Sequence, residues 1–423
     1  MSHTSEATSR SLNEELRSRV DALRHRGLGR RLQTPAGLDF SSNDYLGLSG
    51  HPVIAEAVRR RLAEDVTVGA PASRLLRGHL KMHGRLEADL AAYKGTAAAL
   101  LYPSGWQANV GLLTALIRPE DRVLSDALNH ASLIDGLRLS RCHKVIYPHL
   151  DLDAVAEALA CPWPGGRTYV LTESLFSMDG DIAPLDRLAD LCEAHDAEFL
   201  VDDAHATGLW GERGSGLVEH FGVVDRVAAI TATGGKAMGV AGGFVAGSKE
   251  LVDYLVNASR SFIFSTAVTP LLVHALEAAL DVLRSEPRRR LTVHALADRL
   301  RRHLKAAGFD TLQSVGPIVP VILGDNERAV AAASRLQDAG FDVRAVRPPT
   351  VAEGTARLRI SVHGNHREDQ IDGLAEALIS AVDGAGPSGD EEPDRKAPTL
   401  EPEPEPAASE AQNSHSVQAE APP

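Results

Sequence analysis

The alternation of apolar runs with amphipathic stretches in the middle of the chain constrains its fold most. TYVLTE (168–173) is typical of a buried strand, PLDRLADLCEAHDA (184–197) of a helix with proline in its first turn, and EFLVDD (198–203) of another strand. This spacing predicts a right-handed crossover between parallel strands. RVAAITAT (226–233) adds a further strand. We therefore expect an α/β fold whose ligands bind beyond the carboxyl ends of its strands.

Four segments follow one another along the 423-residue chain. We predict an N-terminal helix and extended segment over 1–40, a large domain with a mostly parallel sheet over 41–285, and a smaller C-terminal α+β domain over 286–384. The remainder, 385–423, is rich in proline, glutamate and alanine and has no aromatic residue. Because such a composition buries too little apolar surface to offset its ordering entropy, we predict a disordered acidic tail.

The composition excludes several classes of protein. With 43% hydrophobic and 24% charged residues the chain is typical of a soluble globular protein. Cys142, Cys161 and Cys192 match no metal-site spacing and cannot all pair, so we expect no bound metal and a reduced, cytoplasmic setting. No secretory signal, apolar span or isolated basic patch is present. We therefore expect neither a membrane nor a nucleic acid as a partner.

One lysine, Lys236, lies in a run of small residues that follows a predicted strand. In TGGK (233–236), Gly234 and Gly235 let the backbone approach a ligand closely. A partly desolvated lysine has a lowered pKa and can form an imine with a carbonyl compound. By itself the pattern also fits a surface lysine on a glycine-rich loop.

Two polar residues lie at or just after the end of the predicted strand EFLVDD (198–203). Asp202 ends an apolar run, and a buried carboxylate there needs a cationic partner, such as a protonated pyridine nitrogen. His205 lies three residues further on and is able to donate a hydrogen bond to a phenolic oxygen. Structural roles, a helix cap for Asp202 and a core position for His205, remain open for each residue alone.

Two further stretches place polar groups at the start of helices. LLYPSGWQANVGLLTALI (100–117) runs from a strand into a helix, and free N–H groups near Gly105 and Trp106 favour phosphate binding. His130 precedes another helix, where an imidazole either stacks on a planar ring or caps the helix. An imine-forming lysine, a strand-end aspartate, a phosphate cradle and a stacking histidine together indicate pyridoxal 5'-phosphate, bound covalently as an aldimine on Lys236.

Seven ordered motifs resemble those of a known family. They are FSSNDYLGL (40–48), NHASL (129–133), ESLFSMDGDIAPL (173–185), DDAHATG (202–208), TGGK (233–236), FSTAVTP (264–270) and VRPPTVAEGTARLRISV (346–362). Together they resemble the α-oxoamine synthases, which are pyridoxal-phosphate enzymes with the aspartate-aminotransferase fold, fold type I. The resemblance covers about residues 10–380.

The resemblance implies a role for individual residues. Lys236 would anchor the cofactor, Asp202 would contact its ring nitrogen, His205 its ring hydroxyl oxygen, and His130 would stack on the ring. Four further positions would surround the ring and phosphate from the same subunit: Gly105, Trp106, Ser177 and Thr233. Ser265 and Thr266 match positions that reach the phosphate of the neighbouring subunit, which implies a homodimer with shared active sites. Substrate contacts would come from Arg359, on the amino-acid carboxylate, and from Arg30, Arg347 and Thr350, with His130, on the acyl side.

Within the family, RPPTVAEGTARLRIS (347–361) is most similar to the enzymes that condense L-alanine with a pimeloyl thioester in biotin synthesis. The resemblance then implies 8-amino-7-oxononanoate, CO₂ and a free thiol as products. The thiol carrier is either coenzyme A or an acyl carrier protein.

Three other functions compete with this interpretation. Sister enzymes of the glycine C-acetyltransferase, 5-aminolevulinate synthase or serine palmitoyltransferase type share the cofactor residues. A plain aminotransferase would also need an arginine such as Arg359. A catalytically silent scaffold has no reason to keep the set of Lys236, Asp202 and His205.

Overall fold

Strands of two main sheets form the frame of the fold, as seen in a computed structural model that describes residues 11–64 and 67–383. The strands in this part of the chain are β1 Leu38–Asp39, β2 Ala98–Tyr102, β3 Arg122–Asp126, β4 His143–Tyr147, β5 Thr168–Glu173, β6 Glu198–Asp202, β7 Ala229–Thr233, β8 Gly243–Gly247, β9 Ile318–Gly324, β10 Phe341–Asp342, β11 Arg344–Val346 and β12 Ala356–Ser361.

The larger sheet has seven strands in the order β2-β8-β7-β6-β5-β3-β4. All neighbouring pairs are parallel except those of β8, which runs antiparallel to both β2 and β7. The expected mostly parallel α/β sheet is thereby confirmed. Because β5 and β6 are parallel neighbours in register, with Glu173 opposite Asp202, their carboxyl ends meet at one edge of the sheet.

Helices connect the strands. In the described residues they are α1 Leu12–His25, α2 Pro52–Ala63, α3 Lys81–Lys94, α4 Gly105–Leu116, α5 Ala131–Ser140, α6 Leu152–Ala160, α7 Leu185–Ala194, α8 Leu217–His220, α9 Lys249–Ala258, α10 Arg260–Ile263, α11 Pro270–Ser285, α12 Arg288–Ala306, α13 Asn326–Asp338 and α14 Glu368–Asp383. Pro184 lies at the N-cap of α7, one position before the first turn in which it was expected.

Both faces of the large sheet are buried. Val170 and Val201 belong to one apolar cluster, whereas their chain neighbours Leu171 and Leu200 belong to a second. Successive strand residues point to opposite faces, so helices must cover the sheet on both sides. This explains why β5 and β6 have apolar residues at their centres and charged residues only at their ends.

The smaller sheet comes from the C-terminal part of the chain. Its three strands are antiparallel in the order β11-β12-β9. The runs IVPVILG (318–324) and ARLRISV (356–362) predict two strands of this sheet, and these are confirmed as β9 and β12, whereas no comparable run predicts β10 and β11. β1, from the N-terminal segment, pairs in parallel with β10.

The structure leaves two expectations about organisation untested. The predicted tail over 385–423 lies outside the described residues. The described residues group as one unit by their contacts, so the division between 41–285 and 286–384 stays a prediction. In 11–64 and 67–383 no helix combines the length and the apolar character that crossing a bilayer requires.

Candidate active site

A cavity of about 200 Å³ lies at the carboxyl ends of β5, β6 and β7. It brings together six of the residues that the sequence indicates: Gly105, Trp106, His130, Asp202, Thr233 and Lys236. These residues are far apart along the chain, but the fold brings them together. The first residues of α4 and α5 and the last residues of β6 and β7 converge at one edge of the sheet. This cavity therefore lies where the polar strand ends are expected to form a ligand site.

Lys236 reaches the cavity from the loop after β7. Of the two glycines before it, only Gly234 is required sterically, since a Cβ there would lie 2.5 Å from the carbonyl oxygen of Ala241, whereas a Cβ at Gly235 would meet only Thr233 at 3.6 Å. Burial lowers the pKa of the Lys236 amine, although the nearby carboxylate of Asp202 raises it. No group in the described part of the chain accepts a hydrogen bond from this amine. It is therefore free to react with a carbonyl compound.

Asp202 is held by neutral hydrogen-bond donors. Its Oδ2 accepts from the side-chain amide of Asn109 at 2.7 Å, and its Oδ1 accepts from the backbone N–H of Ala204 at 3.0 Å. Among the described residues, no basic side chain lies within ion-pair distance of this buried carboxylate. A buried carboxylate without a cation needs one from a ligand, which is the role of a protonated pyridine nitrogen.

The predicted phosphate cradle corresponds to the turn where β2 meets α4. Ser104 is the N-cap of α4, and its hydroxyl accepts from the backbone N–H of Gln107 at 3.2 Å. The N–H groups of the first helical turn have no partner within the helix and point to an anion site. Gly105 packs against Thr233, whose hydroxyl donates to the carbonyl of Gly242 at 2.7 Å and accepts from the N–H of Gly235 at 3.2 Å. These contacts fix the loop before Lys236.

His130 fulfils one of the two roles that its sequence position left open, the helix cap, and its stacking on a planar ring stays a prediction. It is the N-cap of α5, and its Nδ1 lies 3.2 Å from the backbone N–H of Ser132, which donates to it. Its ring also borders the cavity and meets the ring of Trp106 edge to face, with centroids 6.0 Å apart. The cap fixes the imidazole where it is available to stack on a planar ligand.

His205 lies behind the cavity and is bound to Tyr45. Its Nδ1 is 2.7 Å from the Tyr45 hydroxyl. Burial, and then the positive charges of Lys236 and Arg359, hold the pKa of His205 well below its usual value. The ring is therefore neutral. When the Tyr45 hydroxyl donates to Nδ1, the ring carries its proton on Nε2, which is the atom left to donate to a ligand.

Arg359 is buried in β12 among neutral acceptors. Its Nε donates to the carbonyl of Ser177 at 2.6 Å, and one terminal nitrogen donates to the side-chain oxygen of Asn43 at 3.0 Å and to Tyr45 at 3.2 Å. Within the described residues it pairs with no carboxylate, whereas Arg357, two residues away, pairs with Asp179. A buried guanidinium without an anion is a ready site for a ligand carboxylate.

Several predicted residues lie outside the cavity lining. Ser177 contacts Arg359 through its backbone carbonyl, and the Ser265 hydroxyl accepts from Gln107 at 3.1 Å. Thr266 forms an isolated bridge with Ser73. The acyl-side positions lie apart from the cavity: Arg30 and Thr350 are exposed, and Arg347 donates to the carbonyl of Gly27. Their assigned roles stay predictions.

Five polar residues that the sequence patterns do not indicate also line the cavity: Asn43, Asn109, Ser132, Glu173 and Thr231. For two of these residues, the sequence position contains a signal that predicts a place at the site. Glu173 ends β5 as Asp202 ends β6, and Asn109 lies one helical turn after Gly105, hence on the same face of α4. Buried atoms of Asn109 (Oδ1), Glu173 (Oε1) and Thr231 (Oγ1) have no hydrogen-bond partner in this structure. Unpaired buried polar atoms at one cavity indicate a polar ligand.

One group of possible metal ligands lies elsewhere in the described residues, formed by His149, Asp179 and Asp181. His149 lies between Asp126 and Asp181, at 2.9 Å from each. Although burial opposes it, these hydrogen bonds raise the pKa of His149 to about 10. An imidazolium that bridges two carboxylates accounts for the arrangement without a metal ion.

Comparison with known proteins identifies the family. The family model of aminotransferase classes I and II matches residues 35–378. An 8-amino-7-oxononanoate synthase from Anaeromyxobacter dehalogenans is 46% identical over 352 residues, which are 83% of this chain and 88% of that protein. The chain belongs to the α-oxoamine synthase family.

Solved structures agree with the assignment to the α-oxoamine synthases. A serine palmitoyltransferase (SPT) with pyridoxal phosphate as an internal aldimine has a TM-score of 0.82 and 28% identity, covering 89% of this chain and 99% of that one. The 8-amino-7-oxononanoate synthase of Francisella tularensis has a TM-score of 0.71 and 25% identity, covering 82% and 98%. The fold is therefore fold type I, and the protein is a pyridoxal-phosphate-dependent acyltransferase.

Proposed function

We propose that this enzyme condenses L-alanine with a pimeloyl thioester to give 8-amino-7-oxononanoate, CO₂ and a free thiol. The observation that carries the proposal is the 46% identity to a protein named for this product. Support from the site comes from three groups. A free amine on Lys236 and a carboxylate without a cation on Asp202 line one cavity, and the guanidinium of Arg359, which pairs with no carboxylate among the described residues, donates to Asn43 of the same cavity lining.

In the proposed reaction each of these groups has a separate task. Arg359 binds the alanine carboxylate, and Asp202 keeps a proton on the ring nitrogen of the cofactor. The amine of Lys236 removes the α-proton of alanine as a general base. Bound pyridoxal phosphate supplies the electron sink that makes this proton acidic.

The remaining steps exchange bonds at the α-carbon of alanine. This carbon forms a bond to the thioester carbonyl carbon, and the thiol leaves when the C–S bond breaks. The C–CO₂ bond then breaks, CO₂ leaves, and a proton returns to the carbon, with Lys236 as its donor. His130, at the edge of the cavity, is placed to hydrogen-bond the thioester carbonyl.

We further propose a cytoplasmic homodimer. Ser265 and Thr266 follow Phe264, whose side chain is 72% exposed, and Leu76 is 78% exposed. The isolated bridge between Ser73 and Thr266 brings these two segments together, and a contiguous exposed apolar patch is typical of an interface. In a dimer, Ser265 and Thr266 would then complete the phosphate site of the partner.

Product formation tests the proposed substrates. Purified enzyme with pyridoxal phosphate, L-alanine and pimeloyl-CoA is expected to yield 8-amino-7-oxononanoate, detected by mass spectrometry. Glycine or L-serine in place of alanine, and acetyl-CoA, succinyl-CoA or palmitoyl-CoA in place of pimeloyl-CoA, should each give about 100-fold lower kcat/KM, because a pocket rejects the wrong group by 1–3 kcal/mol or more. Pimeloyl-acyl carrier protein serves as the parallel donor.

Two outcomes would overturn this assignment. A higher kcat/KM for glycine or serine with another acyl thioester would move the enzyme to a sister activity. No turnover with either pimeloyl donor, in enzyme that has bound its cofactor, would exclude the pimeloyl substrate.

Substitution of Arg359 tests how the amino acid is bound. Arg359→Lys is expected to raise the KM for L-alanine about 10- to 100-fold, because a lysine cannot reproduce the two-pronged contact with a carboxylate and a charged hydrogen bond contributes about 1.5–3 kcal/mol. The KM for pimeloyl-CoA should change by less than about twofold. Steady-state kinetics with each substrate varied in turn measure both constants.

The matched control is Arg367→Lys, because the Arg367 side chain is 66% exposed and pairs only with Asp369 on the surface. Arg367→Lys should behave as the wild type. An unchanged KM for alanine in Arg359→Lys would place the carboxylate elsewhere.

A further inference from the structure

Glu173 is a second carboxyl group at the cavity, beside Asp202. It is the last residue of β5, pairs in register with Asp202 on β6, and is 2% exposed. Paired residues of adjacent strands point to the same face, with their strands about 4.8 Å apart. Both residues line the same cavity. The site therefore contains two neighbouring carboxyl groups, of which the assigned chemistry uses one.

The two carboxyl groups differ in their hydrogen bonds. Both oxygens of Asp202 accept from donors, namely Asn109 and the N–H of Ala204. The Oε1 atom of Glu173 is buried and has no partner. Two carboxylates this close repel each other, and a buried anion is stable only when donors or cations satisfy it. The negative charge therefore belongs on Asp202 and the proton on Glu173.

The charged groups around Glu173 also favour a proton on Glu173 and a negative charge on Asp202. Burial, and then the charge of Asp202, raise the pKa of Glu173 well above its usual value; Asp126 adds to this rise. Lys236 and a hydrogen bond from the backbone N–H of His130 act in the opposite direction. The titratable groups that face it are Asp202, Lys236, Asp126 and Tyr45. One lysine cannot neutralise two carboxylates, so one carboxyl group keeps its proton.

We propose that Glu173 is an uncharged hydrogen-bond donor of the active site, offering its carboxyl proton to the ligand in the cavity while Asp202 alone carries the negative charge. The proposal rests on the cofactor binding in this cavity, and it does not depend on which amino acid or acyl thioester the enzyme uses. Glu173 is then a binding residue, and its unpartnered oxygen finds its partner on the bound molecule.

Two substitutions separate a neutral donor from an anion. Glu173→Gln is uncharged and still donates, whereas Glu173→Leu is uncharged and donates nothing. Titration of the apo-protein with pyridoxal phosphate, followed by absorbance, should give a dissociation constant within about twofold of the wild type for Gln and about 10-fold weaker for Leu, the usual effect of one lost hydrogen bond. Equally weakened binding of pyridoxal phosphate by Glu173→Gln and Glu173→Leu would show that the charge of Glu173 matters. Binding by Glu173→Leu as tight as that of the wild type would show that Glu173 donates no hydrogen bond. Either result would overturn the proposal.

The pH dependence of stability provides an independent readout without any ligand. A carboxyl group whose pKa is raised in the folded state contributes stability that is present below its usual pKa of 4.5 and is lost as the pH rises through the folded pKa. Glutamine has no such loss. The Tm of apo Glu173→Gln should therefore rise relative to the apo wild type as the pH increases above 4.5. A constant difference in Tm would contradict a protonated Glu173. Neither readout requires alanine or pimeloyl-CoA, so the failure of this proposal and that of the proposed function are distinguishable.

Discussion

Replacing Lys236 with alanine is expected to lower kcat at least about 1,000-fold, since in the proposed reaction this residue both anchors the cofactor and moves the substrate proton. The amine is partly buried, its pKa is lowered by burial, and it has no hydrogen-bond acceptor among the described residues. Steady-state formation of the thiol measures this loss. The variant should still fold, because alanine fits a loop of small residues and the substitution removes no side-chain hydrogen bond among the described residues.

The control for this substitution is another lysine of the same domain. Lys249 is exposed at the start of α9, and Lys249→Ala should keep the wild-type rate. A Lys236→Ala enzyme within about 10-fold of the wild type would show that a different group acts as the base.

Replacing Lys94 with methionine is expected to lower the free energy of unfolding by about 3–5 kcal/mol. The Lys94 ammonium is 1% exposed and donates to Asp203 at 2.7 Å, to Thr207 at 2.7 Å and to the carbonyl of Ser215 at 2.5 Å. Asp203 is fully buried, so removal of the lysine leaves a buried carboxylate without its cation. Urea denaturation of the apo-protein measures the loss.

Arg167→Met is the matched control, because it breaks the ion pair between Arg167 and Glu198 at the surface. The Arg167 side chain is 71% exposed. Exposed pairs contribute about 0–1 kcal/mol, so this variant should be nearly as stable as the wild type. If Lys94→Met costs less than about 1 kcal/mol, the buried pair does not stabilise the fold. Asp203 directly follows Asp202, so the pair also anchors the strand end that holds the catalytic carboxylate.

Local sequence patterns predicted the large sheet and the two main groups at its edge. β5 and β6 occur where apolar runs end in Glu173 and Asp202, and Lys236 follows β7 as expected. The rule that singles out Asp202, a polar residue at the end of an apolar strand, applies equally to Glu173.

Local sequence patterns do not predict contacts between distant parts of the chain. His205 contacts Tyr45, which is 160 residues earlier, and Arg359 contacts Asn43, which is 316 residues earlier. No periodicity encodes such a pair, because it depends on how the small sheet packs beside the N-terminal segment. The very short strands β10 and β11 lacked a pattern long enough to read, since alternation needs about four residues or more.

The fate of the alanine carboxyl carbon tests the central claim most directly. With L-alanine labelled with ¹³C at its carboxyl group, together with pimeloyl-CoA, the enzyme is expected to release one labelled CO₂ for each thiol, and none without the thioester. This result follows if the amino acid bound by Arg359 and deprotonated by Lys236 forms a carbon–carbon bond before it loses its carboxyl group. Retention of the label in pyruvate would identify an aminotransferase and contradict the proposed condensation.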